Sequence, residues 1–365
     1  MKPSSLILFI SILTTLPVLS NELRLSQSQA LSQGFRPQKK SQVRPGKIEL
    51  APNSLAWPVA FIDSQHTIGN SMPQYQNYSN EAYYHEGSDL RVAQEKEIKA
   101  PVDGYIQGDF YSYVTDPNTG EDKKYTKSFS EGGDELYFEV TLKTDQGYLL
   151  EFHHVNPQKL PKAIRELVLR GGGKVSQGEV LGFAALWPNS RFGERYDHIH
   201  YNLISPGGVY LNAEFFSTAL TDNSAPIIKN IFAVYKNKKI EILNKKLPGL
   251  PTEIIVSAVD MKGENIYPLP PVSVIATTGE NKKVGWDFSQ TLLSFAGTFP
   301  DIREVYARNL KLSDGRSFTT KGDYTNTVFL FRLKIPPDSA GPIVLSIRDS
   351  SGNENRTVLE TTESY

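Results

Sequence analysis

Five of the six histidines of this chain stand in three tight groups, and no cysteine accompanies them. The first group is His85-Glu-Gly-Ser-Asp89. Positions i and i+4 share a face of a helix and also of a strand, so an imidazole and a carboxylate here can point at one ion. Gly87 between them permits a tight backbone. A plain surface hydrogen bond between His85 and Asp89 is the alternative. The second group is His153-His154, at the end of the run Gly147–Phe152. Adjacent strand residues face opposite sides. Only one of this pair is therefore expected to look into a site, the other serving packing or lying in solvent. The third group is His198-Ile-His200, inside a run that ends at Ile204. Its imidazoles share one strand face while Ile199 enters the opposite layer. Side by side they suit neutral bases or metal ligands better than two cations. Two exposed strand histidines are the alternative reading.

Without thiolates, a zinc site has to be built from His and Asp or Glu. Two His and one carboxylate leave the fourth tetrahedral position open, as catalytic zinc sites do. Such an ion lowers the pKa of water and polarises a scissile carbonyl. Further neutral histidines can then move a proton or steady an oxyanion. No HExxH helix, GxSxG elbow or Walker loop occurs, which excludes the helix-borne zinc peptidase, nucleophile-elbow and phosphate-loop chemistries. The absence of Cys also excludes disulfides, a Cys nucleophile and acylation on an N-terminal Cys.

The elements that must position these groups read as short strands. Aromatic and β-branched runs alternate with Gly, Pro, Asn and Asp beyond Trp57, among them Tyr137–Lys143, Gly147–His154 and His198–Ile204. One helix is predicted over Pro161–Leu169, with Pro at its start and Gly171–Gly173 past its end. A composition shift at Thr221–Pro226 precedes strand-like runs at sandwich spacing: Ile227–Tyr235, Lys239–Leu243, Glu253–Val259, Val272–Thr277, Val328–Ile335 and Ile343–Arg348. Asp349–Arg356 reads as a turn cluster. This later part contains no His.

With 365 residues, 22% charged and 39% hydrophobic, the chain has room for about two domains. A net charge of -1 gives no sign of a nucleic-acid partner. Residues 1 to 20 read as a secretory signal peptide, with Val18 and Ser20 at positions -3 and -1 of a cleavage site. An uncleaved anchor is the alternative. Residues 21–50 read as an extended arm or linker, or as a propeptide across the cleft. A secreted or periplasmic monomer, free of the membrane after cleavage, is expected.

From about Trp57 to Phe216 the chain resembles the catalytic domain of the lysostaphin/LytM-type zinc metalloendopeptidases. His85-Glu-Gly-Ser-Asp89 resembles the family's H-x-G-x-D block. Ile98-Lys-Ala-Pro-Val-Asp-Gly-Tyr-Ile106 is similar to its strand-and-turn block, and Phe152-His-His154-Val to its aromatic-x-His-Leu block. Gly173-Lys-Val-Ser-Gln-Gly-Glu-Val-Leu-Gly182 resembles the paired-glycine turn, and Asp197-His-Ile-His-Tyr201 the terminal H-x-H strand. The five blocks follow the family order.

The resemblance implies a LytM-like antiparallel β catalytic domain over 51–222, with a groove between loops; outside the matched region the strand pattern over 226–365 reads as an immunoglobulin-like sandwich, so an all-β fold is expected throughout. The resemblance also implies zinc bound by His85, Asp89 and His200, with His154 and His198 as the unliganded catalytic pair. Asp197, Tyr84 and Tyr201 are nearby candidates for polar support. The implied substrates are peptide stems or cross-bridges of bacterial peptidoglycan. The sequence departs from the pattern in a long polar segment Gln107–Asp134, a helical insertion Asn156–Gly172, and Asn202 where Glu is commoner. Gln107–Asp134 reads as a groove wall or lid, or as a plain surface insertion. Two other functions fit the same blocks: a non-enzymatic wall-binding or activator protein, and a zinc peptidase acting on proteins.

Overall fold

The computed structural model describes residues 48–60, 68–77, 82–93, 95–115, 122–187, 196–262, 267–320 and 328–362. The expected signal peptide, most of the arm and His66 lie outside the described residues. Among those described, strands dominate and nearly all pair antiparallel, so the chain is all-β as expected.

The first thirteen strands are β1 (Ile68–Asn70), β2 (Tyr75–Gln76), β3 (Tyr83–Tyr84), β4 (Ser88–Arg91), β5 (Glu97–Lys99), β6 (Gly104–Thr115), β7 (Asp122–Ser128), β8 (Phe138–Lys143), β9 (Leu149–His153), β10 (Gly173–Val175), β11 (Val180–Phe183), β12 (His198–Ile204) and β13 (Tyr210–Leu211). Nine of them form one sheet in the order β1-β4-β12-β9-β8-β6-β10, with β13 beside β12 and β7 beside β6. Strand alternation divides its residues between two faces. Leu90, Val140, Leu150, Phe152, Ile199 and Leu203 point into an apolar core and are fully buried. Each such side chain contributes roughly 1.5–3 kcal/mol. The opposite face of the same strands carries Asp89, His198, His200, Asn202, His153, Glu151 and Glu139. Register aligns them, with His200 opposite Asp89 on one side and His153 on the other.

The predicted helix forms as α1 (Lys162–Leu169), capped by Pro161, and Gly171 just beyond it has φ 87°. Its buried Ile164 and Val168 join the core. The described residues of the segment Gln107–Asp134 form a hairpin. β6 and β7 pair in register from Asp109↔Ser128 to Thr115↔Asp122, and Tyr111 is buried on this hairpin.

The later strands are β14 (Ile227–Tyr235), β15 (Lys238–Glu241), β16 (Lys246–Pro248), β17 (Glu253–Val259), β18 (Ser273–Thr277), β19 (Lys283–Asp287), β20 (Asn309–Lys311), β21 (Ser317–Thr319), β22 (Phe329–Lys334), β23 (Ile343–Arg348) and β24 (Glu354–Thr362). A four-stranded sheet β15-β14-β17-β22 faces a five-stranded sheet β16-β24-β23-β18-β19. Val256, Phe331, Val274 and Leu345 meet between them.

This sandwich shares its core with the first part of the chain. Met72, Tyr75, Tyr84, Ile204 and Tyr210 belong to the same buried cluster as the sandwich residues. Tyr306 is 1% exposed and meets Tyr75 edge-on at 5.6 Å, while its hydroxyl donates to the Pro73 carbonyl at 3.0 Å. Leu292 N–H bonds to the Tyr210 carbonyl at 3.2 Å. No helix among the described residues is long and apolar enough to cross a membrane.

A shared core predicts shared unfolding. Calorimetry is expected to give one transition, and Tyr306→Ala is expected to lower its stability by roughly 3–5 kcal/mol. Two separate transitions, only one of them moved by Tyr306→Ala, would contradict a common core.

Candidate metal centre

The polar sheet face brings together His85, Asp89 and His200. His85 Nε2 lies 2.9 Å from Asp89 Oδ1, His200 Nδ1 lies 2.9 Å from the same oxygen, and the two nitrogens are 3.1 Å apart. Asp89 and His200 are cross-strand neighbours. His85 reaches them from the turn before β4. That turn needs Gly87, because a Cβ there would fall 2.2 Å from Asn202 Oδ1 and 2.4 Å from the Tyr201 carbonyl oxygen.

The chemistry of these donors fits a bound cation. His85 Nδ1 faces the Gly87 carbonyl at 3.0 Å, and a carbonyl only accepts, so Nδ1 carries a proton and Nε2 is the atom turned to Asp89. Nε2 and a carboxylate oxygen stand 2.9 Å apart, a contact that only a shared proton or a metal ion makes favourable. Burial lowers His200 to about 4, so its ring is neutral at pH 7. For Asp89, burial alone would raise the pKa. Facing His85 and His198 and hydrogen bonds from His200 and His85 outweigh it and hold the carboxyl well below the usual range. Two imidazole nitrogens and a carboxylate held ionised are a donor set suited to zinc.

His154 and His198 sit beside these three without joining them. Their rings are 4.8 Å apart, and His198 Nε2 is 3.9 Å from Asp89 Oδ1. Both repeat the tautomer of His85. His154 Nδ1 donates to the Leu136 carbonyl at 2.7 Å and His198 Nδ1 to that of Tyr196 at 2.8 Å, which leaves Nε2 as the basic atom of each neutral ring. Burial, and then the neighbouring His198, push His154 well below the ordinary histidine value. Trp187 forms a wall against both rings, with centroids 4.8 Å from each. The Trp187 N–H donates to Asp197 at 2.7 Å. The His200 side chain is 17% exposed against 5% for His85 and 6% for His198, so the centre opens to solvent over His200.

The strand-parity expectation for His153 and His154 is corrected. Parity admits one of the two, yet both flank the centre. His153 lies on the polar face, 5.2 Å ring to ring from His200. By alternation His154 would join Phe152 in the core. It escapes because β9 ends at His153 and His154 turns off with φ 64°, in the left-handed region. His153 is neither in solvent nor in apolar packing. Its Nδ1 and Nε2 lie 3.2 Å and 3.4 Å from Glu139 and Glu151. Lys124 from β7 pairs with Glu139 as well, tying the β6–β7 hairpin to this buried network.

Other partners of the centre carry no sequence signal. Asn70 donates to Asp89 Oδ2 at 2.5 Å and is itself held by Gln74 at 2.6 Å. The Tyr196 hydroxyl also reaches Asp89 Oδ2, at 3.4 Å. These bonds leave Oδ1 for the centre. Two of the support candidates lie elsewhere. Tyr84 packs edge-on against Phe299 at 5.5 Å within the shared core, and Tyr201 stacks on Phe152 in the apolar layer.

No family model matches the chain, and no curated protein matches it. Among solved structures, a zinc-containing peptidase from Vibrio cholerae is 16% identical over 47% of this chain and 41% of its own, with a TM-score of 0.28. A peptidase of family M23 from Pseudomonas aeruginosa, so described provisionally, is 18% identical over 56% of this chain and 63% of its own, with a TM-score of 0.26. The deep-sea M23 metalloprotease pseudoalterin is 11% identical over 54% of this chain and 98% of its own, with a TM-score of 0.26. The chain thus spans less than two thirds of the first two structures.

Two outcomes follow from this geometry. The wild-type protein is expected to bind about one zinc ion. His85→Ala, Asp89→Ala and His200→Ala should lose it, His154→Ala should keep it, and Asn70→Ala should weaken it by roughly 10–100-fold. Retention of zinc by His200→Ala in a competition titration would show that the ligands are wrong. Second, because burial lowers the His154 pKa, its neutral form must dominate at pH 6.5, the ordinary histidine value. Nitrogen-15 NMR should find it protonated on Nδ1 alone at that pH. A half-protonated ring would contradict the account.

Proposed function

We propose that this protein is an exported zinc metalloendopeptidase that hydrolyses the peptide stems or cross-bridges of bacterial peptidoglycan. The observation that carries the proposal is the pairing of two sets of atoms. Three ligand atoms converge within 3.1 Å of one another, and beside them two imidazoles present free Nε2 atoms. His85, Asp89 and His200 hold the ion in this reading, and zinc bound there supplies Lewis acidity toward water and a peptide carbonyl.

The remaining roles belong to the chain itself. A peptide enters over the exposed edge of His200. His154 and His198 accept and return a proton at Nε2, since their Nδ1–H groups are committed to backbone carbonyls. The protonated rings donate from Nε2 to the oxyanion and then to the leaving nitrogen. Burial favours the neutral form of His154, so a proton taken up there is readily released. Trp187 closes the side of the site behind both rings. Asn70 and Gln74 keep Asp89 from rotating.

Peptidoglycan as substrate, and a secreted or periplasmic location, rest on the five ordered sequence blocks and the signal-like residues 1–20. The domain boundaries 51–222 and 226–365 and an immunoglobulin-like type for the sandwich belong to the same proposal. A peptidase of proteins would use the same atoms. A non-enzymatic wall-binding protein would have no need of the complete ligand set.

Zinc-loaded protein is expected to release muropeptide fragments from purified sacculi. His154→Ala, with zinc still bound, should lose roughly 100-fold or more in rate. Cleavage of glycine-rich proteins with intact sacculi would favour the protein-directed reading. Undiminished digestion by His154→Ala would remove this residue from the mechanism.

A further inference from the structure

A second group of ligating side chains lies in the seam between the first part of the chain and the sandwich, and it contains none of the histidines. Asp222 comes from the segment joining the two parts, Asp260 follows β17, and Asp349 opens the turn between β23 and β24. One oxygen of each lies within 4.8 Å of the others. Asp260 is 1% exposed and Asp349 3%.

Their hydrogen bonds do not account for all these oxygens. Asp349 accepts from Asn353 N–H and Nδ2, both at 2.9 Å, and Asp222 Oδ1 accepts from Ser224 N–H at 3.0 Å. Asp260 Oδ1 and Asp222 Oδ2 are buried with no hydrogen-bond partner. Such a carboxylate is costly unless a cation meets it. Lys262, the ammonium nearby, is committed to Glu214 and Ser350. Four carboxylates thus share one ammonium.

We propose that Asp222, Asp260 and Asp349 bind a divalent cation of the calcium class, which fastens the joining segment, the end of β17 and the β23–β24 turn to one another. The donors are all hard oxygens, which selects against zinc, and they come from three separate segments. Calcium tolerates the irregular geometry this gives, whereas magnesium demands a near-ideal octahedron. A cavity of about 500 Å³ reaches the group at Asp222 and is lined besides by Trp57, Glu214, Lys262 and Ser350. Without a cation, burial raises Asp260 to about 8, with Lys262 offsetting part and Asp349, Asp222 and Glu214 adding to it.

The test uses the full protein, stripped of metal and reloaded with zinc so that the histidine centre is filled. Calcium chloride is titrated in, with magnesium chloride in parallel, and heat and thermal unfolding are followed. Saturable binding of about one calcium per chain and a rise in Tm of several degrees are expected. Asp260→Asn and Asp349→Asn should each abolish the rise. In metal-free buffer Asp260→Asn removes a buried carboxyl whose ionised form nothing compensates, and should unfold no lower than wild type, so calcium reverses the order of the two. The proposal is overturned if calcium up to about 10 mM, above the range of weak calcium modules, gives neither heat nor a Tm shift to wild type. It is equally overturned if Asp260→Asn responds as wild type does, or if magnesium gives the larger shift. Should a variant fail to fold, the wild-type titration decides alone.

Discussion

Three backbone carbonyls decide what the histidines of this protein can do. Gly87, Leu136 and Tyr196 each accept a hydrogen bond from Nδ1–H of a buried imidazole, so His85, His154 and His198 are left with Nε2 as the atom available to the centre. The partner of the ring's far nitrogen fixes both tautomer and orientation. Burial keeps His154 and His200 neutral. The result is a cluster of bases held around a single ionised carboxylate, and such a cluster is an electrostatic liability unless a cation joins it.

The sheet makes this arrangement affordable. One face of β4, β12, β9 and β8 is apolar and fully buried, and the other carries the charged and basic side chains in register. The sandwich then reinforces the site from behind. Its Tyr267 lies against Tyr196 at 5.9 Å and beneath Arg91 at 4.5 Å, and the Tyr196 ring meets that of His198 at 4.7 Å. A part of the chain without histidine is thereby coupled to the histidine centre through one aromatic relay.

Much of this could be read from residues wherever an apolar run stood between turn residues. β12, β14, β17 and β23 fall on their expected boundaries, because each is a run rich in apolar and β-branched residues bounded by turn-forming ones. Ile199 enters the core as alternation requires. What could not be read came from tertiary contacts. The left-handed backbone of His154 has no sequence signal, since a non-glycine residue adopts it only when its surroundings hold it there. Asn70 meets Asp89 only through the pairing of β1 with β4. Tyr84 and Tyr201 were candidates through nearness along the chain. Tyr201 shares the parity of Ile199, however, and Tyr84 is claimed by the sandwich. The three seam carboxylates are far apart in sequence, so no spacing announces them.

The central claim is that one set of histidine atoms binds metal and a neighbouring set stays free to move protons. Anomalous diffraction from zinc-loaded crystals, measured on both sides of the zinc edge, tests it most directly. The account predicts one strong peak about 2.0–2.2 Å from His85 Nε2, His200 Nδ1 and Asp89 Oδ1, with Nε2 of His154 and His198 outside bonding distance. A peak bonded to His154 or His198, or one seated between Glu139, Glu151 and His153, would contradict it.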